Sequence, residues 1–265
     1  LCNPLPNQIG RGFFFLHYEI LYKVEKVIQF MAMQTQKIRQ TVNGLWVING
    51  DTHLTKWVEE TGRLDHDRTI DKLLEFIPQG GTAIDVGAAI GDHTIAYARK
   101  AGPNGRVFAF EPNPVAFRCL ALNSFEFPQI TPLNIGLWSH AAELGYSTDG
   151  QNWGASRVNT DGKESIRVCD LDGIAGCMKR LDFMKIDAEG SEPAILYGAR
   201  RAIHEFRPVM FIELNKGMLN ARGTSPIELV KLIEDMGYAV QDFDPLFADD
   251  RSFSRDQADI ICRPL

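Results

Sequence analysis

Between residues 82 and 263 the apolar positions gather into short continuous runs separated by stretches of helical period. The runs are "TAIDV" (82–86), "RVFAFEP" (106–112), "ITPLNIGLW" (130–138), "LDFMKID" (181–187), "RPVMFIELN" (207–215), "AVQDFD" (239–244) and "ADIICR" (258–263). Short apolar runs bounded by turn residues predict strands buried on both faces. Between them the pattern predicts helices over about 92–101, 114–124, 192–205 and 225–236. Such alternation predicts a mostly parallel sheet with helices on both faces. Upstream, "TVNGLWVINGDTHLTKWVEE" (41–60) predicts a short strand, a turn at Asn49-Gly50 and a helix capped by Asp51 or Thr52. A helix at about 67–77 should stop before Pro78.

Two breaks in the alternation narrow the fold. Residues 139–170 are rich in Gly, Ser, Asn and Thr, lack a helical period, and predict a β-hairpin insertion. The last two runs follow one another without a helix, so they should pair antiparallel. A seven-stranded, mostly parallel sheet finished by an antiparallel pair is the arrangement expected of a Rossmann-like methyltransferase, not of the plain dinucleotide-binding fold.

Composition changes this picture little. A chain of 265 residues favours one large domain, and the net charge of −6 argues against a surface that tracks nucleic-acid phosphates. No apolar run approaches the roughly 20 residues that span a bilayer. The cysteines (Cys2, Cys119, Cys169, Cys177, Cys262) are odd in number and lack a C-x-x-C pair, and they read as reduced thiols of a cytoplasmic protein. The segment "GFFFLHYEILYKVEKVIQF" is interrupted by Glu19, Lys23, Glu25 and Lys26 and lacks a signal peptide's basic start and cleavage site. Residues 1–40 are therefore expected to be an N-terminal helical extension, in part upstream of a start at Met31 or Met33, and residues 41–265 the catalytic domain.

Candidate chemistry begins at "IDVGAAIGDHT" (84–94), where a strand gives way to a glycine loop and then to a helix. Ligands of doubly wound sheets bind beyond the carboxyl ends of the strands. Gly87 would let the backbone approach the ligand, and the helix from Asp92 would offer free N–H groups. Ala88, Gly91 and Thr94 complete this expected cofactor loop. Asp85 would repel a pyrophosphate but favours the ammonium and sulfonium of S-adenosylmethionine. Glu111, ending the next strand in "FAFEPNP", can accept both ribose hydroxyls. Asn113 either caps the following helix or touches the adenosine, and Asn134 either lines the adenine edge or is a turn residue.

The densest cluster is "FMKIDAEGSEPAIL" (183–196). Pro193 in the first turn and Glu192 at the positive end of the dipole are explained by helix initiation. Asp187 and Glu189, at the end of a buried strand, are not. They are the candidates for a catalytic base or an acceptor clamp, with His93 third. Asp187 with Glu213 and Asn215 of "FIELN" would also offer oxygen ligands suited to Mg²⁺. Trp153 and Arg157 of the insertion either stack on and clamp a sugar-like acceptor or belong to a surface hairpin that packs its one tryptophan.

Together, "IDVGAAIGDHT", "FAFEPNPVAFRCLALN", "VCDLDGI", "FMKIDAEGSEPAILYGA" and "FIELN" resemble the FkbM-type S-adenosylmethionine-dependent methyltransferases. The resemblance covers about residues 80–215, and more loosely 41–265; K-I-D-x-E-G-x-E is its specific part. It implies a Rossmann-like fold and O-methylation of a hydroxyl on a sugar, a glycan or a secondary metabolite. It implies cofactor roles for Asp85, Gly87, Gly91 and Glu111, and places Asp187 and Glu189 near the acceptor. Methylation of a macromolecule is the competing expectation; a nicotinamide-dependent oxidoreductase is disfavoured by Asp85 and by the incomplete glycine fingerprint.

Overall fold

The computed structural model describes residues 37–64, 70–148, 157–158, 162, 164–243 and 256–265. The expected N-terminal extension lies almost wholly outside them. A hairpin of β1 (Ile38–Gln40) and β2 (Trp46–Ile48) comes first and straddles position 41, where the sequence reading placed a domain boundary. Asn123 ties it to the body, accepting from the Trp46 N–H and donating to the carbonyls of Trp46 and Ile90. Helix α1 (Leu54–Thr61) follows, its Thr55 N–H bonded to the Asp51 carboxylate at 2.6 Å. A single turn, α2 (Ile70–Leu73), tightens into 3₁₀ geometry at Leu74–Phe76 and ends ahead of Pro78.

The body then alternates as the apolar runs predict. Its first half comprises β3 (Thr82–Val86), α3 (Asp92–Ala101), β4 (Arg106–Phe110), α4 (Pro114–Asn123) and β5 (Ile130–Leu133). An insertion follows: β6 (Gly136–Leu137), β7 (Ala142–Ser147), β8 (Arg157–Val158) and β9 (Glu164–Cys169). The second half runs α5 (Leu171–Ile174), β10 (Phe183–Ile186), α6 (Glu192–Gly198), α7 (Arg200–Phe206), β11 (Val209–Asn215), α8 (Lys216–Ala221), α9 (Pro226–Asp235), β12 (Tyr238–Asp242) and β13 (Gln257–Pro264).

The central sheet has seven strands in the order β12-β13-β11-β10-β3-β4-β5, and β13 runs antiparallel to both of its neighbours. Alternation splits its side chains between two cores. Ile84, Val86, Met184, Ile186, Met210 and Ile212 face one, whereas Ala83, Phe183 and Phe211 face the other with Tyr97 and Ala98 of α3. By the same two-residue period Asp85, Lys185 and Asp187 lie on the α3 side.

Three elements differ from the expectation. The run 130–138 is two strands, because the chain turns at Asn134 and leaves the central sheet. The helix over 192–205 breaks at Ala199, next to Gly198, where the chain presses so closely on Trp138 that a Cβ would lie 1.9 Å from its carbonyl oxygen. The insertion is a four-stranded sheet, β6-β9-β7-β8, with the expected hairpin pairing between β7 and β9 at its centre.

Candidate active site

Strand order reverses at β3, which has β4 on one side and β10 on the other. Such a switch point opens a crevice outside the carboxyl ends of the strands. Here it holds a cavity of about 510 Å³, floored by the ends of β3, β4, β10 and β11 and by the first turn of α3, and walled by the insertion sheet.

The glycine loop is turned inward. The N–H groups of Gly87 and Ala88 donate to the Phe110 carbonyl, and that of Ala89 donates to Glu111 Oε2 at 2.9 Å. Gly87 has φ +78°, and a Cβ there would stand 1.9 Å from the Asp187 carbonyl oxygen. Its missing side chain thus lets two strand ends meet, a reason different from the expected approach of a ligand. Gly91 starts α3 in the left-handed region and packs on Leu120, while Ala88 is buried against Ala109 and Leu120. Asp92 and His93, in the first turn of α3, line the cavity. His93 Nδ1 lies 2.9 Å from the Tyr97 hydroxyl, and its Nε2 lies 3.9 Å from Asp92.

Glu111 lines the same cavity and is almost fully buried. Its Oε1 accepts from the Asn113 N–H at 2.7 Å and its Oε2 from Ala89, leaving each oxygen a second lone pair. Burial pushes this carboxyl up to about 7, against the opposing pull of those two N–H groups. Of its two expected neighbours, Asn113 caps α4, accepting from Val115 and Ala116, and its Nδ2 is buried without a partner. Asn134 spends its amide on the carbonyls of Glu111 and Pro112, bracing the β4 end.

Asp85 is fully buried and lies beneath the cavity rather than on its lining. Thr94 donates to its Oδ2 at 2.6 Å, and Lys185 Nζ stands 3.7 Å from its Oδ1. Burial raises the Asp85 carboxyl, opposed chiefly by Lys185. Lys185 is the residue that the sequence reading passed over. Set opposite Asp85 in the β3–β10 register, it also donates to Asp187 Oδ2 at 3.0 Å. Burial disfavours its charge, yet Asp187, Asp85 and Asp92 together hold it firmly protonated. A lysine inside the apolar run "FMKID" was the available signal, since a buried ammonium requires carboxylate partners.

Asp187 opens onto the cavity. Burial raises its carboxyl, but Lys185 and a hydrogen bond with Glu213 outweigh that and keep it below the usual carboxylate range. Glu213 takes the opposite state: burial, then the charge of Asp187, pushes it up to about 10. The two carboxyls are thus pushed in opposite directions, Asp187 down and Glu213 up. Glu189 sits at φ +49° with its Oε2 3.4 Å from Asn215 Nδ2. Beneath this loop Glu192 accepts from the N–H groups of Ala188 and Gly190, both at 3.1 Å, and burial pushes it up to about 7. Its role is larger than helix initiation: it closes the 187–190 loop.

The expected Mg²⁺ ligands do not converge as a metal site. Asp187 is bonded to Lys185 and hydrogen-bonded with Glu213, and Asn215 caps α8 through the Met218 N–H. Among the described residues no group of three or more His, Cys, Asp or Glu could hold a metal ion. Trp153 and the Arg157 side chain lie outside the described residues.

Sheet order, antiparallel β13 and the acid ending β4 define a Rossmann-like class I methyltransferase. The FkbM methyltransferase domain model matches residues 85–240, and the chain belongs to that family of S-adenosylmethionine-dependent enzymes. The hexuronic acid methyltransferase AglP of Haloferax volcanii is 29% identical over 225 residues, covering 82% of this chain and 89% of AglP. Among solved structures, methyltransferase FkbM from Methylobacillus flagellatus KT is 20% identical with a TM-score of 0.48. That match covers 73% of this chain and 50% of the other, so the chain spans half the length of that protein. A SAM-dependent O-methyltransferase from Thermotoga maritima is 13% identical with a TM-score of 0.46, over 86% of this chain and 77% of that one.

Proposed function

We propose that this enzyme methylates a hydroxyl of a sugar, a glycan or a hydroxylated secondary metabolite, with Asp187 as the base. The observation that carries this reading is a carboxylate held ionised by Lys185 on a cavity floor, a short distance along the sheet edge from the Glu111 loop. In support, AglP is a sugar-acid methyltransferase by its name.

Glu111 fits the ribose, because it lines the cavity and each oxygen keeps a second lone pair that a hydroxyl could fill. The first turn of α3 lines the cavity at the positive end of the helix dipole, which suits the cofactor's carboxylate. Asp85 acts from below, by fixing Thr94 and Lys185. When bound, the cofactor supplies a methyl group on a sulfonium. The chain's own part is then positioning and one proton: Asp187 orients the acceptor hydroxyl and takes its hydrogen as the oxygen attacks. Lys185 keeps Asp187 ionised and Glu213 anchors its second side. Glu189 and His93 are the further candidates to hold the acceptor. No metal enters this reading, because the oxygen donors are already engaged.

The four described cysteines are free thiols, which supports a reducing, cytoplasmic location. No described helix is long and apolar enough to cross a membrane.

Asp187→Asn tests the assignment. It should fold but melt several degrees lower, because Lys185 keeps only Asp85 as an ion-pair partner among the described residues. It should bind S-adenosylhomocysteine within a few-fold, while turnover falls by roughly 10²–10⁴. Near wild-type turnover in both Asp187→Asn and Glu189→Gln would refute the base assignment.

A further inference from the structure

We infer that Arg222 is a positioning residue for methyl transfer: it holds the insertion sheet in place as the wall against which the acceptor is seated. The inference rests on the acceptor site proposed above and adds the residue that fixes its far wall.

The insertion sheet is built across the cavity. Each of its four strands lines it: Leu137 from β6, Ile166 and Val168 from β9, Tyr146 from β7 and Val158 from β8. The β6 edge lies on the cofactor's assigned side, where Gly136 packs on Pro112, next to Glu111. The opposite edge is β8, and Arg222 grips it. Its guanidinium donates from Nη2 to the Val158 carbonyl at 2.7 Å, and its Cζ stands 5.7 Å from the centre of the Trp138 ring. Trp138 in turn packs with Tyr146, Ile166 and Val168 in the sheet's own small core. A planar guanidinium can serve a carbonyl and a ring at once, which an ammonium does poorly.

Arg222 follows α8, and the other end of that helix is tied to the catalytic floor. Asn215 caps α8 through the Met218 N–H and donates to Glu189 Oε2. The Met218 carbonyl presses on Gly190, where a Cβ would lie 2.8 Å from its oxygen. Thus α8 runs from the 187–190 loop to the insertion sheet. The floor also has supports that do not involve Arg222: Lys185 holds Asp187, and Glu192 holds the N–H groups of Ala188 and Gly190. Loss of Arg222 should therefore leave the base in place and loosen the wall. The cost then falls on seating the acceptor, not on the chemical step.

The test uses the full chain with labelled S-adenosylmethionine and p-nitrophenyl glycosides (a hexoside, a deoxyhexoside and a hexuronoside), following whichever the wild type methylates. Arg222→Ala should raise KM for that glycoside at least about tenfold and keep kcat within about threefold, the split expected when binding is lost and chemistry kept. Calorimetry should find S-adenosylhomocysteine affinity within about twofold, while hydrogen exchange of the β7 and β9 amides quickens at least about threefold. Arg222→Lys, which keeps the charge over the ring but not the planar fork, should recover part of the KM. Arg207→Met is the control. Arg207 makes the same kinds of contact, to the carbonyls of Met236 and Gly237 and to the Tyr238 ring, away from the cavity lining. Its variant should lower the melting temperature and leave KM unchanged. Should Arg222→Ala fail to fold, Arg222→Gln, which keeps a donor but not the charge, carries the same test. An unchanged KM in a folded Arg222 variant would overturn the inference, as would a loss confined to kcat or an equal rise of KM in Arg207→Met. If the wild type methylates none of the glycosides yet binds S-adenosylhomocysteine normally, the sugar reading falls. Exchange then decides the inference: β7 and β9 amides as protected in Arg222→Ala as in the wild type would overturn it too.

Discussion

At the scale of single residues the most direct test is Glu111. Its alanine variant should bind S-adenosylhomocysteine about 1.5–3 kcal/mol more weakly, the range for hydrogen bonds to a charged group, and titration calorimetry reads this directly. Unchanged affinity would remove the ribose assignment. Lys185 makes a second, structural prediction. Truncation to Met leaves Asp85 buried without its counter-charge, a change of about 3 kcal/mol or more, or roughly 6 °C in melting temperature at this size. Adding Asp85→Asn should recover part of that loss, because the orphaned charge is gone. Glu111 and Glu192 also tie stability to pH. Both carboxyls are raised from about 4.5 to about 7 in the fold, so between those values the folded protein holds protons that the unfolded chain has released. Stability must then fall as pH rises through that window. Thermal melts of the ligand-free protein should decline by several degrees from pH 5 to pH 7. Glu192→Gln, which mimics the protonated acid, should flatten the decline; an unchanged slope would show that its proton is not linked to folding.

Among elements, the β3–α3 loop carries the sharpest prediction. Gly87 and Gly80 both have positive φ, +78° and +72°, but only Gly87 has a backbone atom where its Cβ would go. Gly80→Ala should therefore show conformational strain alone, about 1–2 kcal/mol. Gly87→Ala must also push the Asp187 carbonyl away, and should melt several degrees lower still and lose turnover with it. Equal melting points would mean that the loop relaxes without moving β10. The close approach of the Asp187 carbonyl to Gly87 was not legible in the sequence, because a contact with a strand end a hundred residues away has no local signature. Asn134 is a similar case: a polar residue within an apolar run was visible, but its two bonds to the end of β4 were not. Lys185 could have been found, since an ammonium in a buried run demands partners; that Asp85 is one of them follows only from the β3–β10 pairing.

For the whole molecule, the fit of the cofactor predicts a thermal shift. Saturating S-adenosylhomocysteine at about a hundred times its dissociation constant should add about 2.7 kcal/mol of stability, while NAD⁺ at the same concentration should leave the melting curve in place. A shift with NAD⁺ would contradict the methyltransferase assignment. What the chain's own pattern determined is the architecture: seven apolar runs, helical periods between most of them, and two final runs without a helix leave few alternatives to a parallel sheet closed by an antiparallel strand. It also determined which acids end strands, because Asp187, Glu111 and Glu213 close apolar runs in plain view. Tertiary structure alone decided their surroundings. Asp187 and Glu213 look alike in sequence, yet one carboxyl is held down and the other pushed up. Burial raises both, and Lys185, bonded to Asp187, outweighs it there, whereas the charge of Asp187 adds to it at Glu213. Periodicity is a local property of the chain; protonation depends on distances and burial that exist only once the strands are side by side.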